Sequence, residues 1–235
     1  MAQDRVGDLL RSLGSGPGGA PLVERFSELC GSSLAMSGVG LSITSGTGRQ
    51  SAVAATNELS SRIEELQELL GEGPRIDAVA VGAAVLVDDL GADSAVERWP
   101  FFTPAARTGG VEAAFAFPLL IGAIRLGAMN LYRDRAGALT PEQLAQAHLF
   151  AAAAGRLMVD LQHGGEAGTL PEALAPGWSA SSVVHQATGM IMVQLGIDVA
   201  SAFAALRARA FGSGRPMQNV AADVVARRQR FDEGR

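Results

Sequence analysis

Apolar and small positions alternate between residues 113 and 132. Phe115, Phe117 and Leu119 lie before Leu120–Ile121–Gly122–Ala123, and the alternation resumes from Ile124 to Tyr132, which predicts an antiparallel hairpin. Val39, Leu41 and Ile43 alternate in the same way, and Ser45–Gly46–Thr47–Gly48 separates them from a second short strand at Ser51–Thr56. Ala78–Val87 is almost wholly apolar and ends at Asp88–Asp89, the pattern of a buried strand that surfaces at its end. Elsewhere the period lengthens to three and four. Leu22, Phe26, Leu29 and Cys30 predict a helix from Pro21 to Cys30; Ile63, Leu66, Leu69 and Leu70 predict another, capped by Asn57 or Ser60 and ended by Gly71. Residues 94–107, with Trp99–Pro100–Phe101–Phe102, are expected to form a short helix with loops, and residues 4–13 a short helix before the flexible joint Gly14–Gly19.

Thr140–Pro141–Glu142–Gln143 has the spacing of a capping box with a first-turn proline. Leu144, Ala147, Ala151, Ala154, Met158 and Leu161 then form a heptad seam, while Phe150, Ala153 and Leu157 are placed to face a sheet. This helix serves either the domain core alone or the core and a dimer partner. Breaks at His163–Gly168 and Pro171–Gly177 separate it from a C-terminal group of three short helices. Val184, Ala187, Ile191 and Leu195 stripe the first, which Gly196 stops; Asp198 caps the second, whose expected buried face is Val199, Ala202, Phe203, Leu206 and Ala210; Pro216 opens the third, with Met217, Val220, Ala221, Val224 and Val225. Three such helices bury little apolar surface, which favours a binding module over a catalytic domain.

Charge separates the two parts. Residues 1–177 carry 12 arginines against 20 carboxylates, a net −8, whereas residues 178–235 carry 7 against 4, a net +3, which fits a module that meets a polyanion. The chain has no lysine, so Schiff-base chemistry is excluded. Cys30 is the single cysteine and is expected to be a buried small residue; His148, His163 and His185 have no ligand-like spacing, so no metal site and no cofactor is expected. Adjacent carboxylates at Asp88–Asp89 and Glu64–Glu65 are expected to be solvated, no catalytic triad is visible, and Gly14–Gly19 lacks the lysine of a phosphate-binding loop. No run of 18 apolar residues appears and the polar, acidic start is unlike a signal peptide, so a cytoplasmic protein with no membrane partner is expected.

Gln186–Ala187–Thr188–Gly189–Met190, Ala202–Phe203–Ala204–Ala205–Leu206–Arg207, Ala210 and Asn219–Val220–Ala221 together resemble the ANTAR family of RNA-binding transcription antiterminators. Leu70–Gly71–Glu72–Gly73–Pro74, Asp77–Ala78, Trp99–Pro100, Phe115–Ala116–Phe117–Pro118–Leu119 and Leu126–Gly127–Ala128–Met129–Asn130–Leu131–Tyr132 resemble a GAF domain, in the order found in actinobacterial proteins that join it to an ANTAR domain. The reading is an α+β chain: an N-terminal helix and linker at 1–20, a GAF-like central antiparallel sheet with flanking helices at 21–163, a linker at 164–178, and a three-helix ANTAR domain at 179–235. The resemblance implies a dimeric, signal-controlled antiterminator that captures hairpins in nascent mRNA. The absence of a receiver-like set of acidic residues with a lysine argues against phosphorelay.

RNA loops expose unstacked bases, which small residues let approach and guanidinium groups hold. Ala187, Gly189 and Met190 are candidates for the landing surface, helix packing being the competing reason for the two small residues. Arg207, Arg209, Arg215, Arg227 and Arg228 are candidates for phosphate or base contacts, with solvated helix faces as the alternative. In the GAF-like part, Arg75, Asp77, Arg98, Trp99 and Phe101 are candidates for a pocket that takes an unknown small-molecule signal; the alternative is that the aromatic residues are core and the domain is a dimerisation scaffold. A DNA-binding regulator and an enzyme built on the GAF pocket are the rival readings. Against the first stands the long Phe211–Arg215 connection, and against the second the lack of a nucleophile or base.

Overall fold

The computed structural model describes residues 8–9, 22–44, 50–163 and 175–231. The expected helix at 4–13, apart from 8–9, the joint at 14–19, the turn at 45–48 and the break at 164–168 lie outside the described residues. The chain divides into two compact units, Met1–Ala175 and Pro176–Arg235.

Unit 1 is built on five strands, β1 (Gly38–Thr44), β2 (Gln50–Ala55), β3 (Val85–Val87), β4 (Ala113–Ile121) and β5 (Ile124–Arg133), in the order β2-β1-β5-β4-β3 with every pair antiparallel. The expected hairpin is β4–β5, closed between Ile121 and Ile124. Because side chains alternate along a strand, the sheet has two faces of different character. On one, Met129 accepts a 3.7 Å contact from the Cys30 thiol and Phe117 meets His148 edge to face at 5.1 Å, so this face is covered by α1 (Leu22–Leu34) and α6 (Pro141–His163). Phe26 and Phe150 join those two helices at 5.7 Å. The other face carries Ala114, Ala116, Asn130 and Tyr132 and is covered by α2 (Glu58–Leu70), α3 (Pro74–Val81), α4 (Asp93–Arg98) and α5 (Phe102–Thr108).

The caps form as their side-chain chemistry requires. Thr140 Oγ1 accepts the Gln143 N–H at 3.2 Å and Gln143 Oε1 accepts the Thr140 N–H at 3.0 Å, opening α6. Asn57 Oδ1 accepts the Ser60 N–H at 2.9 Å, and its amide donates to the Ser37 carbonyl at 2.7 Å, tying α2 to the start of β1. Asn57→Ala is expected to cost about 1–2 kcal/mol, because a helix cap and an inter-element bond are lost together. Thermal unfolding of the full-length variant checks this.

The strand expected at Ala78–Val87 is corrected, and the seam of α6 is resolved further. Ala78–Val87 is not one strand: the chain turns helical at Pro74, which sits in the first turn of α3, and Gly82 ends that helix with φ 76°, leaving β3 only three residues. Of the heptad seam of α6, Ala147, Ala151, Ala154 and Met158 are buried and Leu144 is half-buried, and Phe150, Ala153 and Leu157 are buried too, where the helix packs on α1, β4 and β5. His148 on that helix is exposed while its ring packs on Phe117. Unit 2 consists of α7 (Ala175–Leu195), α8 (Val199–Ser213) and α9 (Met217–Val225). Helix α7 starts at Ala175, within the Pro171–Gly177 segment read as a break, because a proline is tolerated in a first turn. No single described helix is long and apolar enough to cross a membrane.

Candidate nucleic-acid interface and a buried polar cluster

Helix α2 buries an amphipathic stripe in which three polar residues stand at core positions beside Ile63: Ser60, Glu64 and Gln67, the four following one another at steps of three, one and three. Glu64, expected to be solvated, is fully buried. Its carboxylate is satisfied from three sides. Arg75 Nη1 of α3 donates to Oε2 at 2.9 Å, and Asn130 Nδ2 and the Tyr132 hydroxyl of β5 donate to Oε1 at 2.7 Å each. Gln67 completes the cluster, donating to Tyr132 at 2.9 Å and accepting the Arg75 N–H at 2.9 Å. Burial, and then the charge of Glu64, push the Tyr132 phenol well above its ordinary range, so it stays a donor. The sequence makes room for this at Gly40 on β1, where a Cβ would lie 2.0 Å from Glu64 Oε1.

The expected pocket residues therefore divide. Arg75 is inside the core with no exposed surface, and Trp99 is 2% exposed in the same apolar cluster as Tyr132. Asp77 and Arg98 form a surface ion pair at 2.7 Å, with the Arg98 guanidinium 4.7 Å above the Trp99 ring. Phe101 is 60% exposed, not a wall. Glu72 accepts the Phe101 and Phe102 N–H groups at 3.1 and 3.2 Å and so anchors the start of α5. Four buried polar atoms of this region have no protein partner: Arg75 Nε and Nη2, Asn130 Oδ1 and Trp99 Nε1. Sequence reasoning missed Glu64, Gln67, Asn130 and Tyr132, although Glu64 and Gln67 share the helical period of Ile63.

In unit 2 the buried stripe of α7 is Val184, Ala187, Thr188 and Ile191. Ala187 is fully buried and cannot form a landing surface, so packing is the reason for its small size. Thr188 is closed off too, its hydroxyl donating to the Val184 carbonyl at 2.7 Å. Gly189 behaves differently: a Cβ there would meet nothing within 4 Å. It lies on an open cleft of about 510 Å³ formed with Gln186, Met190, Val193 and Gln194 of the same helix, and with Arg227 and Arg230 beyond α9. Val193 is 77% exposed, an apolar residue left facing out of a short helix. The cleft brings Gly189 and Met190 together with Arg227, whereas Gln186, Val193, Gln194 and Arg230 were not among the expected site residues, though they follow from Gly189 by helical steps or lie beside Arg227.

The remaining arginines do separate jobs. Arg215 and Arg228 both bind the Asp223 carboxylate, at 2.7 and 2.8 Å, and hold it below the usual carboxylate range, Arg215 first. Arg209 stacks on the Phe231 ring at 4.8 Å. Arg207 is half-buried on α8. Asp198 caps α8 by accepting the Ser201 N–H at 2.9 Å, which lowers its own pKa. Val199, expected in the buried face, is 48% exposed, because the first turn beyond that cap projects away from the Ala202–Leu206–Ala210 stripe.

Burial pushes the Cys30 thiol up to about 12, so no thiolate is available, and among the described residues no group of three histidine, cysteine or carboxylate side chains could hold a metal ion.

Residues 22–159 match the family model described as GAF domain, and residues 179–225 that described as ANTAR domain. No match is found among curated proteins. Among solved structures, the GAF domain of a phosphoenolpyruvate-protein phosphotransferase from Coxiella burnetii superposes with TM-score 0.52 at 12% identity, over 70% of this chain and 96% of that one. The GAF domain of an Acinetobacter phosphoenolpyruvate-protein phosphotransferase does so with TM-score 0.51 at 9% identity, over 70% and 96%. Identities this low speak for the fold alone, which agrees with the antiparallel sheet and its two helical layers. The GAF match spans more than half of the sequence, and the chain belongs to the GAF domain family, with an ANTAR domain at its C-terminal end.

Proposed function

We propose that the protein is a cytoplasmic, homodimeric transcription antitermination regulator, in which the GAF domain responds to a small polar molecule and the ANTAR domain binds hairpins in nascent mRNA. The observation that carries the reading is the cleft beside Gly189, whose α7 residues lie in the segment matched as an ANTAR domain and whose Arg227 and Arg230 follow directly after it. A mid-helix glycine costs up to about 1 kcal/mol relative to alanine, and here no neighbour needs the missing Cβ. Close approach by a bound molecule is a reason that remains. Met190 and Val193 supply an apolar floor for a base, and Arg227 and Arg230 supply cations for the phosphates that flank it.

Sensing is supported by the four unpartnered polar atoms around Arg75. A buried guanidinium with two unpartnered nitrogens, which carry three N–H bonds, is costly, at about 1–3 kcal/mol for each unsatisfied group, and a small molecule with acceptor atoms would satisfy them. In a dimer the second hairpin would bind at raised effective concentration, so paired hairpins would be held far better than single ones. Capture would keep the terminator hairpin from forming.

Gel-shift titration of the full-length protein with a double-hairpin RNA, a scrambled version that cannot fold, and a duplex DNA, each at two salt concentrations, tests the reading. Preference for the double hairpin is expected; equal binding to the scrambled RNA, or preference for the DNA, would overturn it. Gly189→Ala separates binding from folding. It is expected to raise the thermal midpoint, by restoring up to about 1 kcal/mol of helix propensity, while weakening hairpin binding in the same titration.

A further inference from the structure

The amide of Gln194 has only one orientation open to it. Its Oε1 accepts the Phe231 backbone N–H at 2.8 Å, and a backbone N–H can only donate, so the oxygen must face Phe231 and the amide cannot flip. Phe231 is itself held in place, 5% exposed and stacked under Arg209 at 4.8 Å. With Oε1 turned to Phe231, the NH2 group is the donor that Gln194, one of the residues lining the cleft, has left to offer. The two arginines of the cleft, Arg227 and Arg230, are also donors without acceptor capacity. One side chain, Gln186, keeps an acceptor to offer.

Resting on the RNA-binding reading, we infer that Gln194, locked by Phe231, is a specificity-determining residue that selects an unpaired loop base showing two adjacent acceptors. Among the purines, whose larger face suits the apolar floor, guanine shows such an edge, N7 beside O6, whereas adenine sets an amine beside N7 and would bring donor against donor; cytosine, with O2 beside N3, offers the floor a smaller face. The base lies against the open backbone of Gly189 and the apolar floor of Met190 and Val193, its acceptor edge toward Gln194 and the guanidinium groups. The cationic rim favours a polyanion over an apolar helix as occupant.

The test begins with a library of double hairpins with randomised loops, enriched on the full-length protein. The enriched RNA is then remade with 7-deazaguanine, which lacks N7, at its loop guanines. Gln194→Glu is the matched variant: its carboxylate still accepts the Phe231 N–H, so the fold is kept, as thermal unfolding would verify, but it donates nothing. The natural protein is expected to bind the guanine loop about tenfold better than the deazaguanine loop, and Gln194→Glu to lose that discrimination to within about twofold, whatever general weakening its added charge causes. An enriched loop without guanine, indifference of the natural protein to the missing N7, or undiminished discrimination by Gln194→Glu would each overturn the inference while leaving hairpin binding intact. Failure to enrich any hairpin would overturn the RNA-binding reading, and this inference with it.

Discussion

Arg75→Met is expected to destabilise the GAF domain by about 3–5 kcal/mol, a large share of the stability of a domain this size. Arg75 and Glu64 are both wholly without exposed surface, and removing the cation leaves the Glu64 carboxylate in the core with only the Asn130 amide and the Tyr132 hydroxyl as donors. Methionine fills much of the arginine volume, so the loss would report the stranded charge rather than a cavity. Denaturant unfolding followed by Trp99 fluorescence, in a Trp178→Phe background, reads this domain because Trp99 lies in the apolar cluster beside Tyr132. Adding Glu64→Gln should recover a good part of the loss, since a neutral amide still accepts from Tyr132 and no charge is left behind. A loss under about 1 kcal/mol for the single variant, or no recovery in the double, would show that the pair does not hold the domain as described.

The same cluster explains what the sequence hides. Local signals were legible wherever one residue type enforces one backbone outcome: the Thr140–Gln143 and Asn57–Ser60 caps, the Gly71 and Gly196 stops, and the alternation in β4 and β5. Glu64–Glu65 was read as solvated because charge usually is, yet the helical period places Glu64 with Ile63 and Gln67 on the buried side, and Arg75, eleven residues on, makes that burial possible. A partner in another element is invisible to a local pattern. Ala78–Val87 misled for a related reason. Alanine and valine fit a strand or a helix, and the deciding residues were the flanking Pro74 and Gly82. In the ANTAR domain, Ala187 and Gly189 stand two residues apart, so they fall on different sides of α7: one is packed and the other open. The arginine count could not tell which guanidinium groups are already spoken for.

Asp223 decides that question, and its removal should have the largest effect on RNA binding outside the cleft itself. One carboxylate holds both Arg215 and Arg228, so two of the domain's cations are tied up within the fold and share one negative charge. Asp223→Asn removes the charge that holds them while keeping the side-chain shape. With both released, hairpin affinity at low salt is expected to rise about tenfold, and the slope of log affinity against log salt to steepen by between about 1 and 2, as one or two further phosphates are neutralised. The triple variant Asp223→Asn, Arg215→Ala, Arg228→Ala should return the slope to its starting value. An unchanged slope in the single variant would place both arginines away from the bound RNA. Acid does not substitute for the mutation. The two arginines depress the Asp223 pKa, so the carboxylate keeps its charge through mildly acidic buffer, and the clamp is lost only as pH falls through that lowered value. Any change in affinity between neutral and mildly acidic pH should therefore owe nothing to Asp223 and must be assigned to another group.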